Sequence, residues 1–292
     1  MNEPTVLAEQ FEQNRSHLRA VAYRMLGSLS EAEDAVQEGW LRLSRSDTRD
    51  VENLSGWLTT VVARVCLDML RSRKAKHEES LDERASDALP DHKDRTDPEQ
   101  EALLADSVGL ALLVVLETLP PAERLAFVLH DMFDLSFDEI APIVGRSSTA
   151  ARQLASRARR RVRGADMAPD PDLNRQREVV DAFLAAARDG NFEALLNVLD
   201  PDVVLHSDPI VLPLGAPTEV RGAKTIANRA SKAGARAAQP ALVNGSVGVI
   251  VAPRGHLLMV LRFTIKDGKI IEMEAVADPE RLRHLDLAIL ND

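Results

Sequence analysis

The 292-residue chain holds one cysteine, Cys66, so it can close no internal disulfide and supply no zinc cluster, which excludes the stapled secreted scaffold and the zinc finger. Aromatic residues are only 3%, and the one tyrosine, Tyr23, and both tryptophans lie in the first sixty residues. The longest apolar run, Val108 to Leu116, is too short to cross a bilayer. The Met1-Asn2-Glu3-Pro4 start has no basic stretch leading into an apolar one, and a soluble cytoplasmic chain is expected. What is present is ordinary: 45% apolar and 28% charged residues exclude a disordered or fibrous chain, and the length suggests two or three domains.

The net charge of -10 argues against indiscriminate nucleic-acid binding, but it is an average over unlike parts. Residues 1–145 sum to -13 and residues 164–292 to -4, whereas residues 146–163 carry seven arginines and no acid. A short cationic segment in an acidic chain is a focused phosphate-binding element, or else a solvated arginine-rich helix end. The register of the segment decides between them.

Composition divides the chain into a helical block at 8–77, an acidic linker at 78–99 with Pro90 and Pro98, a second helical block at 100–163, a short linker at 164–173, and a tail at 174–292. No internal repeat is present. In the first block Ser30-Glu31-Ala32-Glu33 reads as a capping box opening a helix at Glu31. Ala32, Ala35, Val36, Trp40 and Leu43 form its core stripe, while Asp34, Gln37, Glu38 and Leu41 form a second stripe, either a solvated face or a protein contact. The next helix, 54–73, buries Trp57, Val61, Val65 and Met69 and shows Thr60, Arg64, Asp68 and Arg71 elsewhere. Arg71, Arg73, Lys74 and Lys76 near its end suit a helix C-terminus or phosphates. Cys66 reads as core.

The second block carries a helix-turn-helix. Pro120-Pro121 starts a helix with Leu125, Val128, Leu129 and Met132 as its apolar row. Ser136-Phe137-Asp138-Glu139 is a capping box, and the helix it opens buries Phe137, Ile140, Ala141 and Val144 and stops at Gly145. The following helix packs through Ala151, Leu154, Ala155, Ala158 and Val162. Opposite lie Thr149, Arg152, Gln153, Ser156 and Arg160, the register a recognition helix needs: Arg pairs with guanine, Gln with adenine, Ser and Thr with bases or phosphates. Arg146, Arg157, Arg159, Arg161 and Arg163 flank that face and suit the DNA backbone. His130 and Asp131, being adjacent, point to different helix faces and make a poor metal pair. No metal site or cofactor is expected.

Several ordered motifs resemble one family. Asp34-Ala35-Val36-Gln37-Glu38, Gly56-Trp57-Leu58-Thr59-Thr60 running to Cys66-Leu67-Asp68-Met69-Leu70-Arg71, an acidic linker, and Arg152-Gln153-Leu154-Ala155-Ser156-Arg157-Ala158-Arg159 are similar to those of an extracytoplasmic-function RNA polymerase sigma factor. The resemblance implies that Asp34, Gln37, Glu38 and Leu41 grip polymerase core. It implies that Thr60, Arg64, Asp68, Arg71, Arg73 and Lys74 serve the minus-10 element, and that Arg146, Ser148, Thr149, Arg152, Gln153, Ser156, Arg157 and Arg160 serve the minus-35 element. The tail resembles a SnoaL-type cone-shaped domain, through its helix at 175–188, strand entry Asp200 to Leu205, the step Val220-Arg221-Gly222-Ala223, and a hairpin from Phe263 to Val276. Where sigma factors with such tails often carry Asp-Gly-Gly-Gly, this chain has Asp208-Pro209-Ile210, and its first linker lacks their Trp-Leu-Pro.

The expected fold is thus multidomain, with two all-α sigma domains, the second a helix-turn-helix, and an α+β cone-shaped domain built on a curved antiparallel sheet. The expected function is to direct core polymerase to promoters, with the tail modulating activity; the expected partners are RNA polymerase core, promoter DNA and an unidentified small ligand in the tail. Alternatives are a ligand-responsive helix-turn-helix regulator and a SnoaL-like enzyme fused to a DNA-binding module. His206 and Asp208 share a strand face and are the tail's cavity candidates, as a base for proton abstraction. The tail has no tyrosine or tryptophan to serve as oxyanion donor, and no enzymatic activity is expected.

Overall fold

In the computed structural model, residues 3–46, 51, 53–82, 109–164, 172–211, 217–233 and 235–290 are described. They gather into two compact units, Met1–Ser107 with Leu119–Arg159, and Val108–Thr118 with Arg160–Asp292.

The first unit is helical. Helices α1 (Glu3–Leu26), α2 (Leu29–Leu43) and α3 (Leu54–Asp82) pack together around Leu18, Met25, Leu26, Leu43, Leu58 and Leu67, all fully buried. Gly39 is what lets α2 approach α3, because a Cβ there would lie 2.8 Å from Val62 Cγ2. The cap of α2 is Ser28, not Ser30: its hydroxyl accepts the Glu31 amide at 3.4 Å, so the helix begins at Leu29. Glu33, expected to close the capping box, instead reaches Arg15 and Arg19, each at 3.3 Å. Helix α3 runs to Asp82, past its expected end at Arg73, so residues 78–82 of the expected linker are helical and residues 83–99 lie outside the described residues. Arg71 and Arg73 therefore sit within α3, where the dipole of a helix end does not reach them. Trp57 and Met69 are half-buried, while the buried face of α3 is broader than one stripe and includes Leu58, Val62, Cys66, Leu67 and Leu70.

To these three helices the same unit adds α5 (Pro121–Phe127), whose chain continues through a π turn at Val128–Met132, and α6 (Phe137–Val144). Helix α7 (Ser148–Val162) follows and passes into the second unit at Arg160. Helix α3 packs on both α5 and α6. Polar groups are buried where α1 meets α5: Arg124 Nε donates to the Arg24 carbonyl at 3.2 Å, and Arg24 lies 5.1 Å from the Phe133 ring centre with its own Nε buried and without a hydrogen bond. Burial pushes the Arg24 guanidinium below its ordinary pKa.

The second unit contains α4 (Leu110–Thr118), helices α8 (Leu173–Arg188), α9 (Phe192–Val198), α10 (Ala223–Ala233) and α11 (Pro279–Arg283), and one seven-stranded sheet. Its strands, β1 (Leu199–Ser207), β2 (Glu219–Arg221), β3 (Ala238–Val243), β4 (Ser246–Val251), β5 (Met259–Lys266), β6 (Lys269–Val276) and β7 (Leu287–Ala288), lie in the order β2-β1-β6-β5-β4-β3-β7. The sheet is mixed rather than wholly antiparallel, because β1 pairs parallel with β6 after a long crossover. Two hairpins close through two-residue loops, Asn244-Gly245 and Asp267-Gly268, with every loop residue at positive φ. Val179, Phe183, Leu195, Val203, Ile226 and Met273 form a core between α8, α9, α10 and one sheet face, which Val180, Leu184, Val247 and Val249 extend. The expected helix, strand entry, step and hairpin of the tail are all present; α9 and α11 were not foreseen.

Candidate nucleic-acid interface

Helix α7 is positioned by local chemistry that the sequence displays. Ser136 and Glu139 form the expected capping box: the Ser136 amide donates to Glu139 Oε2 at 2.9 Å, and the Glu139 amide to Ser136 Oγ at 3.3 Å. The Ser136 hydroxyl also donates to Glu139 Oε2 at 2.7 Å, and this bond, with that from the Ser136 amide, holds the Glu139 carboxyl below its usual range. Helix α6 ends at Gly145 in the left-handed conformation, φ 68°, and the Arg146 amide bonds back to the Ala141 carbonyl at 3.0 Å. Phe137 is only half-buried, lying 4.0 Å centre to centre from His130, and Ile143 takes a core place that the apolar pattern did not assign.

Helix α7 packs through Ala151, Ala155, Ala158 and Val162, with Leu154 half-buried. Thr149, Arg152, Gln153 and Arg160 are exposed on the opposite face, and Ser156 is half-buried beside them. Arg152 lies 5.3 Å from the Phe137 ring centre, a cation–π contact that orients its guanidinium. Arg146 and Arg160 make no ion pair among the described residues. Three other cationic or polar neighbours are engaged inside the protein: Ser148 Oγ donates to Asp138 at 2.5 Å, Arg157 pairs with Glu123 at 2.9 Å, and Arg159 pairs with Asp131.

In the first block Asp34, Gln37 and Leu41 are exposed, Leu41 at 39%, and Glu38 is half-buried in an ion pair with Arg42 at 2.8 Å. Beside this stripe lies a groove of about 400 Å³ lined by Phe11, Val36, Trp40 and Gln37, which sequence reasoning missed because Trp40 was assigned wholly to the core. On α3, Thr60 is half-buried, Arg64, Asp68 and Arg71 are exposed, and Arg73 pairs with Glu31 and donates to the Leu26 carbonyl at 3.4 Å. The Lys74 side chain lies outside the described residues.

The tail candidates do not come together as a catalytic pair. Val203 and Leu205 face the helix-side core, so His206 projects from the other face of β1, half-buried, with Glu272 at 3.6 Å and Glu219 at 3.9 Å. Asp208, 9% exposed, accepts the amides of Ala277 at 2.9 Å and Asp278 at 3.0 Å and pairs with Arg281. Burial alone would raise its carboxyl, but those donors outweigh burial and hold it below its ordinary value. A carboxylate so engaged is a structural latch. Among the described residues no cluster of metal-ligating side chains is found, and no helix is long and apolar enough to cross a membrane.

Residues 10–76 match the Sigma-70 region 2 family and residues 109–162 the Sigma-70, region 4 family. Over 288 residues the chain is 38% identical to the ECF RNA polymerase sigma factor SigJ of Mycobacterium tuberculosis, covering 93% of this chain and 92% of that one. The chain belongs to the ECF RNA polymerase sigma factors. It is also 34% identical over 284 residues to the probable ECF sigma factor SigI of the same species, covering 97% of each. The crystal structure of the Mycobacterium tuberculosis sigma factor SigJ matches with 36% identity and a TM-score of 0.46, over 94% of this chain and 98% of that one. As a sigma factor the protein has RNA polymerase core and promoter DNA as partners and directs transcription initiation. The region 2 match takes in α2 and most of α3; the region 4 match runs from α4 to α7.

Proposed function

We propose that this sigma factor grips polymerase core through Asp34, Gln37, Glu38 and Leu41 and opens minus-10 DNA along the face of α3 that carries Thr60, Arg64, Asp68 and Arg71. Minus-35 DNA is read by Thr149, Arg152, Gln153 and Ser156, with Arg146 and Arg160 on the backbone. The observation that carries the reading is α7 itself: a packing stripe of alanines and one valine beneath an exposed Thr-Arg-Gln face. Arg157 and Ser148 serve to hold the helix in place, and Arg73 to hold α3 against α2. The tail, acting in the cytoplasm with the rest of the chain, modulates initiation and is not an enzyme: the buried, saturated Asp208 is a poor base, and no tail tyrosine offers an oxyanion donor.

Promoter engagement requires the first unit to open. The two promoter elements lie about 25 base pairs apart, about 85 Å at 3.4 Å per step. A compact body of about 150 residues has a radius of gyration of only about 15 Å. Helices α3 and α7 must therefore part when both elements are bound, which breaks the packing of α3 on α5 and α6.

The test is charge reversal of the α2 stripe. The Asp34→Lys/Glu38→Lys double variant is expected to fold normally, as surface changes do, and to lose co-purification with core polymerase. A folded double variant that still co-purifies in full overturns the core-binding assignment.

A further inference from the structure

We propose that the second unit carries a binding pocket for a small phosphate monoester, formed by the arginines that end α7 and α11. Neither His206 nor Asp208 lines it, and it does not depend on what α7 reads.

A cavity of about 310 Å³ is lined by Thr118 at the end of α4, by Arg160, Arg161 and Gly164 around the end of α7, and by Arg283 and Asp286 where the chain leaves α11. Every lining residue belongs to the second unit. The volume is at the small end of ligand sites, with room for about ten waters at about 30 Å³ each. Three of the side chains are guanidinium groups, all exposed, and Asp286 is the one carboxylate of the lining among the described residues.

The walls are fixed before any ligand arrives. Asp208 accepts the Ala277 and Asp278 amides, and the Asp278 carboxylate accepts the Arg281 amide at 3.0 Å, which together set α11. Past Arg283, the Leu285 amide donates to the Leu282 carbonyl at 3.2 Å, and Asp286 exchanges two hydrogen bonds with Asn244, each of 2.8 Å. Arg283 itself is steadied by Glu280 at 2.6 Å. On the opposite side the Gly164 amide donates to the Arg161 carbonyl at 3.1 Å, and the Ile289 amide to the Val162 carbonyl at 2.9 Å. A site built in advance spends little of its binding energy on ordering.

The same bonds bear on what the arginines are for. Cations commonly gather at a helix C-terminus to balance its partial negative charge. Two of the last carbonyls of α7, those of Arg161 and Val162, already have donors, so that need is blunted. A guanidinium presents its N–H groups as a planar fork that matches the oxygens of a phosphate in pairs. Three of them around one cavity leave positive charge over after Asp286 is counted. Attraction scales with the charge of the guest. A phosphate monoester, at about −1.5 to −2 near neutral pH, is therefore held up to about twice as strongly as a singly charged phosphodiester or carboxylate.

Titration of the full-length chain with methyl phosphate at about pH 7.5, with ionic strength held constant by chloride and amide shifts read by NMR, tests the assignment. Saturable binding that moves the Gly164 and Leu285 amides is expected. Arg283→Gln should weaken it by about tenfold or more, the loss of a charge-assisted hydrogen bond. Arg163→Gln, in the same cationic segment but outside the lining, should bind as the parent does. Asp286→Asn should tighten binding, a gain that a merely structural role for that carboxylate does not give. Spectra of the variants without ligand confirm their fold. Shifts that do not saturate, or equal losses in Arg163→Gln and Arg283→Gln, overturn the pocket. Dimethyl phosphate binding as tightly as methyl phosphate overturns the monoester assignment.

Discussion

The Arg64 guanidinium donates to the Pro142 carbonyl across 3.4 Å, tying the middle of α3 to α6. A side chain proposed to serve the minus-10 element is therefore in contact with the helix-turn-helix in the polymerase-free protein. The same arginine cannot keep that bond if the faces of α3 and α7 separate as proposed for promoter binding.

Arg64→Ala is accordingly expected to change stability by less than about 1 kcal/mol, since one long hydrogen bond from an exposed side chain is lost. Open-complex formation at a cognate promoter should fall while duplex minus-35 binding holds. Thermal unfolding and strand-opening assays on one preparation check both halves.

Arg152→Ala and Gln153→Ala should each shift base preference at one minus-35 position by about 1–3 kcal/mol. Arg157→Ala should behave differently, because it breaks the Glu123 pair, whose carboxylate is buried. It is expected to lower thermal stability while leaving the preferred sequence intact. Selection from a randomised promoter library, beside a melting curve for each variant, separates the two classes.

Ser136→Ala removes a hydroxyl that caps α6 and accepts the Glu139 amide, and is expected to destabilise the first unit by about 1 kcal/mol. With that partner gone, the Glu139 carboxyl should titrate closer to its ordinary value, the hydroxyl bond being the largest cause of its depression. Denaturant unfolding and a carboxyl titration by NMR read these out.

Of the tail, the prediction concerns acid. The folded-state pKa of Asp208 lies below its ordinary 3.8, so its stabilisation is complete above that value and drains away as pH falls through the folded one. Asp208→Asn should destabilise the tail by about 1–3 kcal/mol at neutral pH, through loss of the charged acceptor for Arg281 and the two amides. The variant should also show a flatter loss of stability below pH 3.8 than the parent, which circular dichroism at stepped pH will register.

Elements whose signals are local were legible in the sequence. The Ser136 capping box, the Gly145 stop and the alanine stripe of α7 each follow from residues within a turn or two of one another. Errors arose where two local solutions were available or where distant partners decide. Ser28 and Ser30 could both cap α2, and only tertiary packing puts Leu29 inside the helix and draws Glu33 to Arg15 and Arg19. The parallel pairing of β1 with β6 joins segments some seventy residues apart, for example Leu205 with Met273, and nothing in either strand announces the direction. Asp208 looked like a base because its spacing from His206 was visible and its donors, at 277, 278 and 281, were not. Arginines in the cationic segment could be counted from the sequence, but which of them pair inside the protein depends on Glu123 and Asp131, about thirty residues earlier.

Helix α4, buried at Leu113 to Leu116, packs on β3 and β7 within the second unit, and this imposes an order on the birth of the protein. Thr118 leaves the ribosome some 130 residues ahead of Ile250, and at about 5–20 residues per second that is roughly 7–26 s. Throughout that interval Leu113 to Leu116 exist while the sheet on which α4 packs is incomplete. Each nascent chain thus passes through a stage at which its apolar α4 waits for strands not yet translated, and a ribosome that stalls before β3 releases a product that lacks every strand α4 packs on.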